Sequence, residues 1–123
     1  MIFESRELKS YGEFVKSEDL IEGRTYFRVS FLDQDGYVPE FIPLVFIGRN
    51  LQLDKPGLYF QDAASYISGR RYKESDKHER LGQEFYGWFE TYKENGCTNV
   101  CEFEKALDQL LYCSLERKKS NLE

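Results

Sequence analysis

The sequence predicts one small domain of the α+β class, spanning residues 1–123. Three observations lead to this prediction: the chain has the length of a single domain, strand-like segments follow one another without regular βαβ alternation, and the last third carries helical periodicity. We expect a small, strongly bent antiparallel sheet, with a half-open, SH3-like barrel as one form of it. A C-terminal amphipathic helix would pack on this sheet, and a short helix would precede it.

The strands are predicted from alternation and from turn signals. Arg24 to Leu32 alternates in part, with aromatic and β-branched residues, and the Asp33–Gly36 segment that follows contains an Asp-Gly turn signal. Phe41 to Gly48 is almost entirely apolar, which indicates a strand covered on both faces. Leu58 to Phe60 follows another turn and is predicted as a short third strand.

The C-terminal helix has the clearest pattern. Asn99 is predicted as its N-cap and Glu102 as the third helical residue, together forming a capping box. Cys101 would then lie in the first turn, on the polar side of the helix. The side predicted to face the sheet consists of Val100, Phe103, Leu107, Leu110, Leu111 and Ser114.

Three other segments are less uniform. Ser5 to Val15 has apolar residues at helical spacing and is predicted as the short N-terminal helix. Asp62 to Gly69 fits either a capped helical turn or a strand. Residues 82–93 combine helical aromatic spacing with two glycines, which leaves strand and helix as alternatives.

Composition bears on location and partners. The chain has 22 acidic and 17 basic side chains, for a formal net charge of −5, which disfavours nucleic acid and anionic membranes as partners. The first residues lack the apolar core of a signal peptide, and no apolar run is long enough for a membrane span. Three cysteines, an odd number, fit a reducing compartment. We therefore expect a cytoplasmic protein.

No catalytic, cofactor or metal site is predicted. The single histidine, His78, lies in a polar stretch without the apolar surroundings that hold a catalytic base. The three cysteines and His78 lack zinc-ligand spacing, and Asp33 to Gly36 fits a hairpin turn better than a calcium loop. An enzyme built on carboxylates and tyrosines is a minor hypothesis, and Glu40, Asp62 and Glu84 are the acids that stand out beside apolar segments.

The leading functional hypothesis is a non-catalytic protein-interaction or regulatory module. Tyr, Trp and Arg contribute most of the binding energy at protein interfaces, and the chain clusters these types around residues 59–88. The predicted contact face consists of Tyr59, Tyr66, Arg70, Arg71, Tyr72 and Trp88. The partner would be another protein or a second copy of the chain, paired through a sheet edge.

The alternative comes from a different class of function. A small molecule or nucleotide would bind in an apolar cleft between the sheet and the C-terminal helix, and its binding would raise the melting temperature.

Overall fold

The computed structural model describes residues 1–2, 4–52, 54–69, 71, 89–92 and 98–120, with the backbone alone for 89–92. Its described part is an α+β fold, as predicted. Four antiparallel strands form one sheet in chain order: β1 (Thr25–Phe31), β2 (Pro39–Arg49), β3 (Leu58–Asp62) and β4 (Phe89–Tyr92). A short helix, α1 (Ala63–Ile67), follows β3, and a long helix, α2 (Phe103–Lys119), ends the described chain. The sheet is a meander that does not close into a barrel.

The β1–β2 hairpin forms at the predicted Asp-Gly turn. Gly36 has a φ of +74°, a backbone conformation that glycine adopts at little cost. The Asp33 carboxylate accepts hydrogen bonds from the backbone N–H groups of Tyr37 and Val38, the latter at 2.8 Å. These bonds fix the loop and set the register in which Thr25 lies opposite Val45.

The two faces of the sheet contribute to two apolar clusters. The larger cluster contains Leu20, Tyr26, Leu44, Phe46, Leu58, Phe60 and Val100. The smaller one contains Phe27, Cys101 and Ala106, with Val29 and Phe41 packed against it. Because neighbouring residues of an extended strand point to opposite faces, Tyr26 and Phe27 enter different clusters, and so do Val100 and Cys101.

The predicted helix over Ser5 to Val15 is wrong: these residues form neither helix nor strand, and the chain bends at Ser10 and Tyr11. The first helical turn is instead a 3₁₀ turn at Ser17–Asp19. Tertiary hydrogen bonds explain the difference, since the Val15 N–H donates to the Val100 carbonyl at 2.9 Å and the Thr98 hydroxyl donates to the Val15 carbonyl at 2.6 Å. These bonds hold Val15 against another chain segment and so compete with a local helix.

The predicted start of the C-terminal helix is also wrong. The helix begins at Phe103, and Glu102 at its N-cap makes no side-chain capping bond. Asn99 has a φ of +57°, and Cys101 forms a bridge with Phe27 in which each N–H donates to the other's carbonyl, at 2.7 and 2.8 Å. Pairing with the edge of β1 thus keeps residues 100–101 extended, and Cys101 is buried ahead of the helix.

Of the two alternatives for Asp62 to Gly69, the helical turn is the one observed. The Asp62 carboxylate caps α1 by accepting the Ser65 N–H at 3.0 Å, and Gly69 follows with a φ of +94°. In the other open segment, Phe89–Tyr92 is strand and pairs with β3. Residues 82–88 and 93 lie outside the described residues.

Candidate functional site

The structure describes three of the six residues of the predicted contact face: Tyr59, Tyr66 and Arg71. Tyr59 is fully buried, and its hydroxyl donates to the Lys55 carbonyl. Its ring therefore belongs to the interior, which corrects its assignment to a contact surface. Arg70, Tyr72 and Trp88 lie outside the described residues, and their part in a contact face stays a prediction.

Tyr66 and Arg71 do lie together. The Arg71 guanidinium carbon is 4.2 Å from the centre of the Tyr66 ring, within the range of a cation–π contact. Tyr66 is half-buried at the end of α1 and Arg71 is exposed. The pair borders a cleft of about 300 Å³, which we call the Tyr66 cleft; its lining residues are Glu22, Gly23, Ile47, Gln61, Tyr66 and Arg71.

The Tyr66 cleft is polar and shaped by backbone turns. Gly23 has a φ of +84° and donates its N–H to the Phe46 carbonyl at 2.8 Å, which fixes the turn that brings Glu22 to the rim. Gln61 is buried, and its side-chain amide donates to the Ser65 hydroxyl at 2.9 Å. A carboxylate, a guanidinium and an aromatic ring at one opening suit contact with a polar peptide group. The lining residues that the structure describes include no histidine or cysteine.

A second surface, on α2, was missed by the sequence prediction. Four large apolar side chains occur every fourth residue along this helix, and we call them the α2 ridge: Phe103, Leu107, Leu111 and Leu115. Their exposed fractions are 57, 48, 49 and 42 %, respectively. Residues four apart lie on the same side of a helix, so the four side chains form one continuous apolar strip about three turns long.

The ridge is exposed because a different side of α2 faces the sheet. Ala106 and Cys113 are the buried residues of the helix, and they are seven positions apart, which is two turns. Ala106 packs with Phe27 and Cys101, and the Cys113 thiol lies 3.5 Å from the Gly36 carbonyl. The small side chain at 106 allows the helix to approach the sheet closely, which turns the leucines outward.

Phe103 joins the ridge to the protein interior. Its ring lies 4.7 Å from the Phe27 ring and 6.4 Å from the Phe41 ring, and these two rings stack on each other at 4.8 Å. The stack anchors the first turn of α2 where the helix crosses β1 and β2. These ring contacts lie between α2 and the sheet, where the sequence hypothesis expected an apolar cleft.

The N-terminal segment, residues 4–15, runs beside the α2 ridge. Arg6 pairs with Glu104 and with Asp108, in the second case at 2.5 Å, and Lys105 pairs with Glu13 at 2.9 Å. Between this segment and the helix lies a groove of about 480 Å³, to which Leu107 and Leu111 contribute. The ridge is therefore bordered on one side by these ion pairs, and two of its leucines also line the groove.

Among the residues that the structure describes, no group of three or more histidine, cysteine or acidic side chains could hold a metal ion. None of the helices in the described ranges has the length and apolar character needed to cross a bilayer. Cys101 and Cys113 are buried, and Cys113 is a free thiol.

Comparisons with known proteins add no relative: no family model, no curated protein and no solved structure matches this chain.

Proposed function

We propose that the protein is a non-catalytic protein-interaction or regulatory module that works in the cytoplasm through the α2 ridge. The exposure of four large apolar side chains in one strip carries this proposal. Scattered apolar residues are normal on a protein surface, whereas contiguous apolar patches bordered by charges are typical of interaction sites. The odd number of cysteines and the free, buried thiol of Cys113 support a reducing compartment.

The Tyr66 cleft is a second surface for the same class of function. Its arginine–tyrosine pair has the residue types that dominate interfaces, but the cleft is small and polar, and only two residues of the predicted face meet there. The α2 ridge is larger and more apolar, so we assign the main contact to it. We place the small-molecule alternative second, because aromatic rings pack against one another where the first turn of α2 meets the sheet.

Binding from native lysate would test the proposal, with the tagged full-length chain as bait and three single variants beside it. Leu111→Glu places a charge in the middle of the α2 ridge, and Arg71→Ala removes the cation from the Tyr66 cleft. Ile67→Glu is the matched control, because it changes another exposed apolar residue, 78 % accessible on α1.

We expect a partner at near-equal stoichiometry that Leu111→Glu abolishes and Ile67→Glu retains. Loss with Arg71→Ala alone would move the contact to the Tyr66 cleft. Equal binding by all variants, or no partner at all, would reject the interaction proposal as stated. Melting curves of each variant would confirm that the fold is intact.

A further inference from the structure

We infer that the α2 ridge binds a second copy of this chain, with the two α2 helices antiparallel and the twofold axis at Leu111. This inference rests on the proposed function and names its partner. The observation behind it is the symmetry of the helix about Leu111. Leu107 and Leu115 each lie four residues from Leu111, and Glu104 and Lys118 each lie seven residues from it.

These spacings place all five side chains on one side of the helix. Steps of four and seven residues return to nearly the same direction on a 3.6-residue turn. In an antiparallel pair with the axis at Leu111, each residue meets the one equally far on the other side. Leu111 then meets Leu111 of the second copy, Leu107 meets Leu115, and Glu104 meets Lys118.

The charges therefore suit self-association in this direction. Glu104 stands at the first turn of α2 and Lys118 at the last, so the antiparallel arrangement forms two opposite-charge pairs and also opposes the two helix dipoles. A parallel arrangement would instead place like charges together. Glu104 contacts Arg6 within the chain, but its side chain is still 67 % exposed and can be reached by a partner.

The contact has the form of an isologous interface, in which the same patch serves both subunits. Three leucine layers resemble the seam of a two-helix coiled coil, and Phe103 lies one turn before Leu107, at the edge of the seam. A seam of this length is at the small end of specific interfaces.

Sedimentation velocity of the full-length chain, from about 1 to about 500 μM, would test this inference, since mass action makes dimerisation depend on concentration. We expect a reversible monomer–dimer equilibrium. Leu111→Glu should weaken it at least about tenfold, because the substitution places two carboxylates at the twofold axis. Ile67→Glu, the exposed control on α1, should leave it unchanged. A monomer at every concentration would overturn the inference.

Charge exchange tests the antiparallel geometry. Glu104→Lys alone or Lys118→Glu alone should weaken the dimer about fivefold, because each puts like charges in both pairs. The double variant Glu104→Lys/Lys118→Glu should associate more tightly than Glu104→Lys alone, since both intermolecular pairs then reform with opposite signs while the loss of the Arg6–Glu104 pair is common to the two variants. If both single variants weaken the dimer and the double variant stays weak, the antiparallel pairing is wrong.

A photo-crosslinking residue in place of Leu107, used in the native cell, separates this inference from the proposed function. Cross-linking to Leu115 of a second copy supports both self-association and the interaction module. Cross-linking to a different protein, with a monomer in sedimentation, overturns self-association and leaves the interaction module. An absence of any cross-link, again with a monomer in sedimentation, overturns both.

Discussion

Asp33 shows how one side chain fixes the β1–β2 loop. Its carboxylate accepts hydrogen bonds from the backbone N–H groups of Tyr37 and Val38. These hydrogen bonds hold the pKa of Asp33 below its ordinary value of 3.8, and the bond from Tyr37 has the larger effect. Hydrogen bonds to the ionised form favour ionisation. The carboxylate is therefore charged near neutral pH.

The first prediction concerns the acid limb of the stability curve. A lowered folded-state pKa means that the folded protein binds fewer protons than the unfolded chain, so the contribution of Asp33 is present above pH 3.8 and is lost as pH falls through its folded pKa. Asp33→Ala should lower the melting temperature at pH 7, and the difference from wild type should shrink toward pH 2.5.

Asp35→Ala is the control, since it changes the charge of the same loop equally. It should have a smaller effect than Asp33→Ala at pH 7. If the two variants behaved alike at both pH values, general loop charge would explain the result and the hydrogen bonds would not.

At the scale of the element, α2 has apolar residues on two sides, and only one of these sides packs on the sheet. The large leucines face outward, whereas Ala106 and Cys113 face the sheet. Ala106 packs with Phe27 and Cys101, and the rings of Phe27, Phe41 and Phe103 supply apolar area at that contact. The aromatic stack thus replaces the leucine packing that a helical wheel predicts.

The second prediction tests this orientation. Ala106→Leu should destabilise the protein by about 1–3 kcal/mol, because the added side chain overpacks a fully buried position. Leu107→Ala should cost less than about 1 kcal/mol, since the half-exposed side chain buries little area. Urea unfolding at low protein concentration would measure both. The reverse order of effects would show that the leucines face the core.

The third prediction concerns the aromatic anchor. Phe103→Ala should cost about 1–3 kcal/mol despite the exposure of this residue, because it removes the ring packed on Phe27 and Phe41. Phe103→Leu should recover part of the loss through apolar area alone. Unfolding free energies from the same urea titrations would provide the comparison. A cost equal to that of Leu107→Ala would contradict an anchoring role for the ring.

At the scale of the whole molecule, contacts distant in sequence close the structure. Residues 98–101 join the N-terminal segment to the edge of β1, through Thr98 and Val100 on one side and Cys101 on the other. This connection covers part of the sheet edge and leads directly into α2. It therefore links the position of the α2 ridge to the position of the N-terminal segment.

The fourth prediction tests this connection. Thr98→Val keeps the shape of a buried side chain but removes the hydroxyl that donates to the Val15 carbonyl. We expect a loss of about 1–2 kcal/mol, the cost of a buried hydrogen bond and an unpaired carbonyl. Thr98→Ser retains the donor and should recover the hydrogen-bond part of the loss. Faster amide hydrogen exchange at Val15 in the valine variant would localise the effect; unchanged exchange would contradict it.

Much of the fold was predicted from sequence because its signals are local. Asp35-Gly36 marks the hairpin turn, and alternation between residues 24 and 32 marks β1. The capped turn at Asp62 was one of two local alternatives, and the structure selects it. For the site, the sequence prediction joined Tyr66 with Arg71, which do lie together, but it placed the buried Tyr59 beside them.

By itself, the sequence determined the α+β class, the central strands and the existence of the last helix, because periodicity and turn chemistry act over a few residues. The tertiary structure decided where that helix begins and which side it buries. Pairing of Cys101 with Phe27 prevents an earlier start, and close packing at Ala106 turns the leucines outward. These outcomes depend on residues more than 70 positions apart, which no local pattern encodes. The exposed α2 ridge is therefore a product of the tertiary fold.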